Sequence, residues 1–76
     1  MTALDTLVAS ILDLDQAQVT DDTGTATTGN WNSLRHVRII AAIEDTYGIR
    51  LTPREARAAR SVRALRLLLK DKGVEA

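Results

Sequence analysis

Ser33 and His36 are the residues of this chain whose types and spacing could do chemistry. Three positions apart, they share a face if they lie on a helix. A hydroxyl beside an imidazole is half of a nucleophile–base pair. A hydrolytic site also needs a group that orients the imidazole and a walled pocket around the reacting atom. Neither is evident in a chain of 76 residues with one histidine and no cysteine. Two other readings of Ser33 follow. A serine at a helix start commonly caps the first turn. Such a serine is also suited to modification, because the open N–H groups and positive dipole end of a helix N-terminus favour an attached phosphate.

Other chemistries find less support. One histidine without cysteines does not make a zinc site. Asp13, Asp15, Asp21 and Asp22 lack the alternating spacing and glycine of a calcium loop and read as solvated loop acids. The net charge is zero, yet residues 1–34 hold five aspartates and no Lys or Arg. The remainder holds all ten basic residues and five acids. Such asymmetry suits a nucleic-acid or acidic partner, although a solvated helical face is its commoner cause. Arg54, Arg57, Arg60, Arg63 and Arg66 recur every three residues, a spacing that drifts around a helix axis. A break at Ser61 would divide them into two exposed patches.

The elements that must position Ser33 are readable from periodicity. Leu4, Leu7, Val8, Ile11, Leu12 and Leu14 mark an amphipathic helix from Thr2 to about Asp15, with Thr2 and Asp5 placed as a capping pair. Residues 16–32 form a long Thr-, Gly-, Asp- and Asn-rich loop, with Val19 and Trp31 as its anchors. A second helix is predicted from Ser33 to Tyr47, with Leu34, Val37, Ile40 and Ala41 on one side. Ile39 and Ile43 widen the stripe, so burial over much of its girth is expected. Gly48 ends it, and Ile49 and Leu51 turn inward. Thr52-Pro53-Arg54-Glu55 starts a short third helix. Ser61 caps a fourth, carrying Val62, Leu65, Leu68 and Leu69 and closing at Gly73. The fold class is therefore all-α: one small domain over residues 1–76, with an aliphatic core, since there is no Phe, one Trp and one Tyr. No apolar run approaches the ~20 residues of a membrane span, and the acidic N-terminus does not read as a signal peptide. Met1 and the short tail suggest a free-standing protein.

The segment WNSLRHVRIIAAIEDTYGIRLT resembles the acyl and peptidyl carrier proteins. Ser33-Leu34 supplies the core pair of their signature. Val37 and Ile40 match its apolar positions, Glu44-Asp45 its acidic pair, and Tyr47-Gly48-Ile49 its close. The likeness is strongest over residues 29–51, and the order of elements extends it along most of the chain. It implies a small four-helix carrier bundle with a long loop between the first two helices and a short third helix. It also implies covalent 4'-phosphopantetheine on Ser33, donated by coenzyme A through a phosphopantetheinyl transferase. The arm would carry an acyl or aminoacyl group as a thioester, sheltered between helices and presented to loading and downstream biosynthetic enzymes. The carrier itself would be non-catalytic, monomeric and cytoplasmic.

Asn32 stands where the family usually has Asp. Asn caps a helix as well as Asp does, but a charge near the N-terminus, worth about 0.3–1 kcal/mol, is missing. In the family that Asp also helps position serine and metal in the modifying enzyme, so slower or more selective loading is expected. Arg35, His36 and Arg38 make the start of the helix basic where many relatives are acidic. Partners with acidic or apolar surface are then expected, met by Trp31, Asn32, Leu34, Arg35, Val37 and Arg38. Arg35 and His36 otherwise read as simply exposed residues, or as contacts to the arm's phosphodiester, and Trp31 reads foremost as packing the loop onto the helices. These departures favour secondary metabolism, of polyketide or nonribosomal peptide type. The alternatives are a small nucleic-acid-binding domain using the arginines, or an unmodified carrier serving as an interaction module.

Overall fold

The computed structural model describes residues 3–74. Four α-helices are built from them: α1 (Ala3–Leu12), α2 (Ser33–Tyr47), α3 (Pro53–Ala58) and α4 (Val62–Asp71). A 3-10 turn at Gln16–Gln18 follows α1. The all-helical fold class is borne out, as are the long first loop and the short third helix. The Thr2 end of the expected capping pair lies outside the described residues.

The core is aliphatic. Leu4, Val8 and Leu12 of α1, Ile39 and Ile43 of α2, and Val62, Leu65 and Leu69 of α4 are buried, joined by Val19 and Trp31 from the loop. Burial on α2 is narrower than its sequence suggests. Leu34 and Val37 remain 62% and 63% exposed, and Ala41 also faces solvent. The reason is geometric: α2 packs chiefly against α1, and the six-residue α3 covers little of its other side.

Three of the helices close in one way. Asp13, Gly48 and Gly73 adopt positive φ of 59°, 64° and 76°. The next amide in each case, Leu14, Ile49 or Val74, donates to the carbonyl five residues back, of Ala9, Glu44 or Leu69. That bond is the mark of a Schellman turn, whose following apolar residue packs back on the helix. Leu14, Ile49 and Val74 all lie against the core. Glycine takes this conformation without steric cost, whereas aspartate is among the few other residues that tolerate it. This turn stops α1 at Leu12, three residues short of the Asp15 read from periodicity.

The long loop is anchored at both ends of its course. Asn30 Nδ2 donates to the Leu12 carbonyl at 3.0 Å, capping the end of α1. Midway, Gly24 forms an antiparallel bridge with Ser61, and the amide of Thr25 donates to the Arg60 carbonyl at 3.0 Å. The carbonyls of Thr23 and Asp21 accept the amides of Val62 and Arg63, while Ser61 Oγ accepts that of Ala64. The first-turn donors of α4 are thus consumed by the loop and its own cap.

Side-chain charge reinforces the same seam. Arg66 bonds Asp5 at 2.9 Å and Asp21 at 3.1 Å, and Arg63 pairs with Asp22 at 3.1 Å. Burial opposes the Arg66 charge, but the hydrogen bonds it donates to Asp5 and Asp21 outweigh it and raise the pKa of the guanidinium. The expected break at Ser61 divides the arginines, but the second patch is reduced: Arg63 stays exposed beside Asp22, while Arg66 is partly buried against Asp5 and Asp21. The charge asymmetry along the sequence is in part an internal complement, with acids of α1 and the loop meeting bases of α4.

Candidate functional site

Ser33 is the first residue of α2, and its exposed side chain is not the cap. Asn32, with extended backbone at φ −98° and ψ −179°, takes that role: its Oδ1 accepts the Arg35 amide at 3.0 Å. The Asn32 carbonyl takes the amide of His36. No hydrogen bond engages the Ser33 hydroxyl, or the amides of Ser33 and Leu34, among the described residues. The contrast with α4 is informative. There the loop satisfies the first-turn amides; at α2 two remain open beside an uncommitted hydroxyl.

His36 does not serve Ser33 as a base. The Trp31 indole N–H donates to His36 Nδ1 at 3.0 Å, and His36 Nε2 lies 2.7 Å from the Ala56 carbonyl. An indole nitrogen only donates, so Nδ1 accepts and Nε2 carries the hydrogen that reaches Ala56. Both ring nitrogens are committed, and the ring stacks on Trp31 with centroids 6.0 Å apart. His36 is thus a strut joining the end of the loop, α2 and α3. The exposed His36 read from the sequence is corrected on this point.

Trp31 is 2% exposed and packs the loop onto the core; a buried indole offers no docking surface, so its assignment to partner contact is corrected. Arg35 turns away from Ser33, with Nη1 3.4 Å from the Ile11 carbonyl at the end of α1. Leu34, Val37 and Arg38 do lie on the exposed side of α2, and Asn32 is exposed at its tip.

Two open clefts meet along this face. The first, about 360 Å³, is lined by Thr25, Trp31, Asn32, Ser33, His36, Val37 and Arg60. The second, about 350 Å³, runs between α2 and α3 and is mostly apolar, lined by Val37, Ile40, Ala41, Pro53 and Ala56, with His36, Glu44 and Arg57. His36 and Val37 belong to both. Glu44 Oε2 accepts the Leu51 amide at 2.9 Å, and a capping box of Thr52 and Glu55 starts α3, so the far wall is fixed. Thr25 and Arg60 were missed by the sequence reading. They come from distant parts of the chain and meet Ser33 only through the Gly24–Ser61 bridge.

A family model described as "Phosphopantetheine attachment site" matches residues 2–69. The chain belongs to the phosphopantetheine attachment-site family. It is also 38% identical over 66 residues to "Polyketide-8 synthase acyl carrier protein 2" of Streptomyces avermitilis, a match spanning 87% of this chain and 76% of that protein. The cofactor of this family is covalent 4'-phosphopantetheine. The residues present fit such a group: a free hydroxyl at an open helix start for attachment, a cleft beside it with Thr25, Asn32 and Arg60 on its wall, and an apolar groove beyond. Members of the family are loaded by a phosphopantetheinyl transferase and work with biosynthetic enzymes. Among the described residues, no cluster of His, Cys, Asp and Glu could hold a metal ion, and no helix is long and apolar enough to cross a membrane.

Proposed function

We propose that this chain is an acyl or aminoacyl carrier with Ser33 as its attachment residue, acting in secondary metabolism of the polyketide type. The observation that carries the assignment is the division of labour between neighbours. Asn32 performs the cap, so the fold has no use for the Ser33 hydroxyl, and that hydroxyl is left exposed beside two open amides. In loading, the Ser33 Oγ–phosphorus bond forms as the pyrophosphate bond of coenzyme A breaks, and adenosine 3',5'-bisphosphate leaves. The hydroxyl proton leaves to a base of the transferase, because His36 is engaged elsewhere. Once bound, the arm supplies a terminal thiol that holds cargo as a thioester. The chain's own residues do the rest, and no catalytic step falls to them.

Val37, Ile40, Ala41, Pro53 and Ala56 provide an apolar wall for part of a cargo between α2 and α3. Leu34, Val37 and Arg38 form the docking face, with Asn32 and Arg35 at its edge, suited to partners with acidic or apolar surface. The polyketide assignment is supported by the Streptomyces avermitilis relative, itself a polyketide synthase acyl carrier protein. Nucleic-acid binding is disfavoured, since Arg63 and Arg66 are spent on Asp22, Asp21 and Asp5.

The test is intact mass after incubation with coenzyme A, magnesium and a broad-specificity phosphopantetheinyl transferase, beside Ser33→Ala. One phosphopantetheinyl group is gained by the parent and none by the variant. A folded parent that gains nothing with several transferases would overturn the carrier reading in favour of an interaction module.

A further inference from the structure

The cleft that Ser33 opens into has a single charged side chain on its wall, and it is a cation. Arg60 lines it together with Thr25, Asn32 and the Trp31–His36 pair, and no carboxylate does. The other basic side chains between Ser33 and Arg60 do not stand free on this wall, and Arg38 lies on the exposed side of α2. Arg35 reaches the Ile11 carbonyl, both nitrogens of His36 are in use, and Arg57 lies on the neighbouring α2–α3 groove. Arg60 is fixed rather than loose. Its carbonyl accepts the Thr25 amide at 3.0 Å, and its Nε donates to the Arg57 carbonyl at 2.9 Å. That leaves the two terminal amino groups of the guanidinium for another acceptor. Among the described residues no carboxylate pairs with it, in contrast to Arg63 and Arg66 of α4.

Resting on the carrier reading above, we propose that Arg60 is the residue that binds the phosphodiester of the arm on Ser33, holding the first part of the arm in this cleft. A phosphodiester carries a negative charge, and a guanidinium fork matches its two non-bridging oxygens. The open amides of Ser33 and Leu34 face the same charge from the helix end. Arg60 is a positioning residue. By fixing the phosphate, it sets the direction in which the arm leaves Ser33, past Val37, which lines both clefts.

The experiment compares the ¹⁵N-labelled chain before and after loading, with loading confirmed by intact mass. The Arg60 Nε–Hε signal, assigned by its loss in Arg60→Gln, is expected to shift on loading, while that of Arg57 stays in place. The ³¹P resonance of the arm is expected to move in Arg60→Gln and to be largely restored in Arg60→Lys. Both differences should shrink as salt approaches 1 M, where the screening length falls to about 3 Å. The parent comparison requires no variant, and the backbone bond at Arg60 survives any side chain. A loaded chain whose Arg60 signal is unmoved, and whose ³¹P resonance is the same in Arg60→Gln, overturns the proposal and leaves the carrier reading standing. A chain that gains no mass overturns both.

Discussion

The indole N–H of Trp31 donates to Nδ1 of His36 at 3.0 Å, and this bond joins the last stretch of the long loop to the first turn of α2. It also fixes the imidazole as the tautomer with hydrogen on Nε2, directed at Ala56 of α3. Long-range ¹H–¹⁵N spectra are expected to show protonated Nε2 and unprotonated Nδ1. Trp31→Phe keeps most of the packing but removes the donor. It should cost about 1–2 kcal/mol in urea unfolding, part of it from the acceptor left without its partner. A stability equal to the parent's would show that the bond is not formed in solution.

Asn32 and Ser33 should separate cap from attachment point. Asn32→Ala removes the oxygen that accepts the Arg35 amide and is expected to cost ~1 kcal/mol. Ser33→Ala should leave thermal unfolding of the unmodified chain within about 0.5 kcal/mol of the parent, since its hydroxyl holds nothing in place. Asn32→Asp keeps the cap and adds the missing charge, for a gain of roughly 0.3–1 kcal/mol. It should also raise the loading rate. A Ser33→Ala variant as unstable as Asn32→Ala would mean that the hydroxyl is structural after all.

Gly24 is required by closeness, not by its torsion angles. A Cβ there would stand 2.5 Å from the Arg60 carbonyl and 2.9 Å from Ser61 Cβ. Backbone cannot yield as a side-chain tip does, so Gly24→Ala must push the loop from the start of α4. A loss of about 1–3 kcal/mol is expected. Faster hydrogen exchange at Thr25, Val62 and Arg63, whose amides bond across this seam, would check the mechanism.

Tyr47 carries a buried hydroxyl without a hydrogen-bond partner among the described residues. Burial pushes its phenol above the usual value of 10.0; Arg66 pulls it down and Asp5 pushes it up. An acid whose pKa is raised in the folded state binds its proton more tightly there than in the unfolded chain. Stability is therefore lost as pH rises above about 10 and the unfolded phenol ionises first. Tyr47→Phe should be neutral or gain up to ~1 kcal/mol at neutral pH. It should also lose less than the parent above pH 10. Parallel curves for the two proteins would refute the assignment.

Glu55 acts at the other end of the scale. The Thr52 amide and then Lys72 hold its carboxylate below the usual range, and the Lys72 contact, at 3.1 Å, ties α3 to the end of α4. The stabilisation is present above the unfolded pKa and is lost as pH falls through the lower folded one. Glu55→Gln should flatten this acid-side decline in a pH series of melting temperatures, with α3 amides exchanging faster in the variant.

The sequence by itself determined what local chemistry decides. Asn32, Thr52 and Ser61 mark helix starts through their own side chains, and Gly48 and Gly73 mark ends through left-handed backbone. The apolar spacing gave the helices, and the Ser33 neighbourhood gave the family resemblance. Tertiary structure decided what depends on neighbours far along the chain. Periodicity groups Leu34 and Val37 with the apolar face, but only the small size of α3 leaves them exposed. Trp31 and His36 could each have met solvent or a partner; their mutual bond arises because the loop folds back on α2. Arg60 reads like the other arginines of its series. It reaches the Ser33 cleft because Gly24 allows the loop and the start of α4 to touch, a contact that no local pattern encodes.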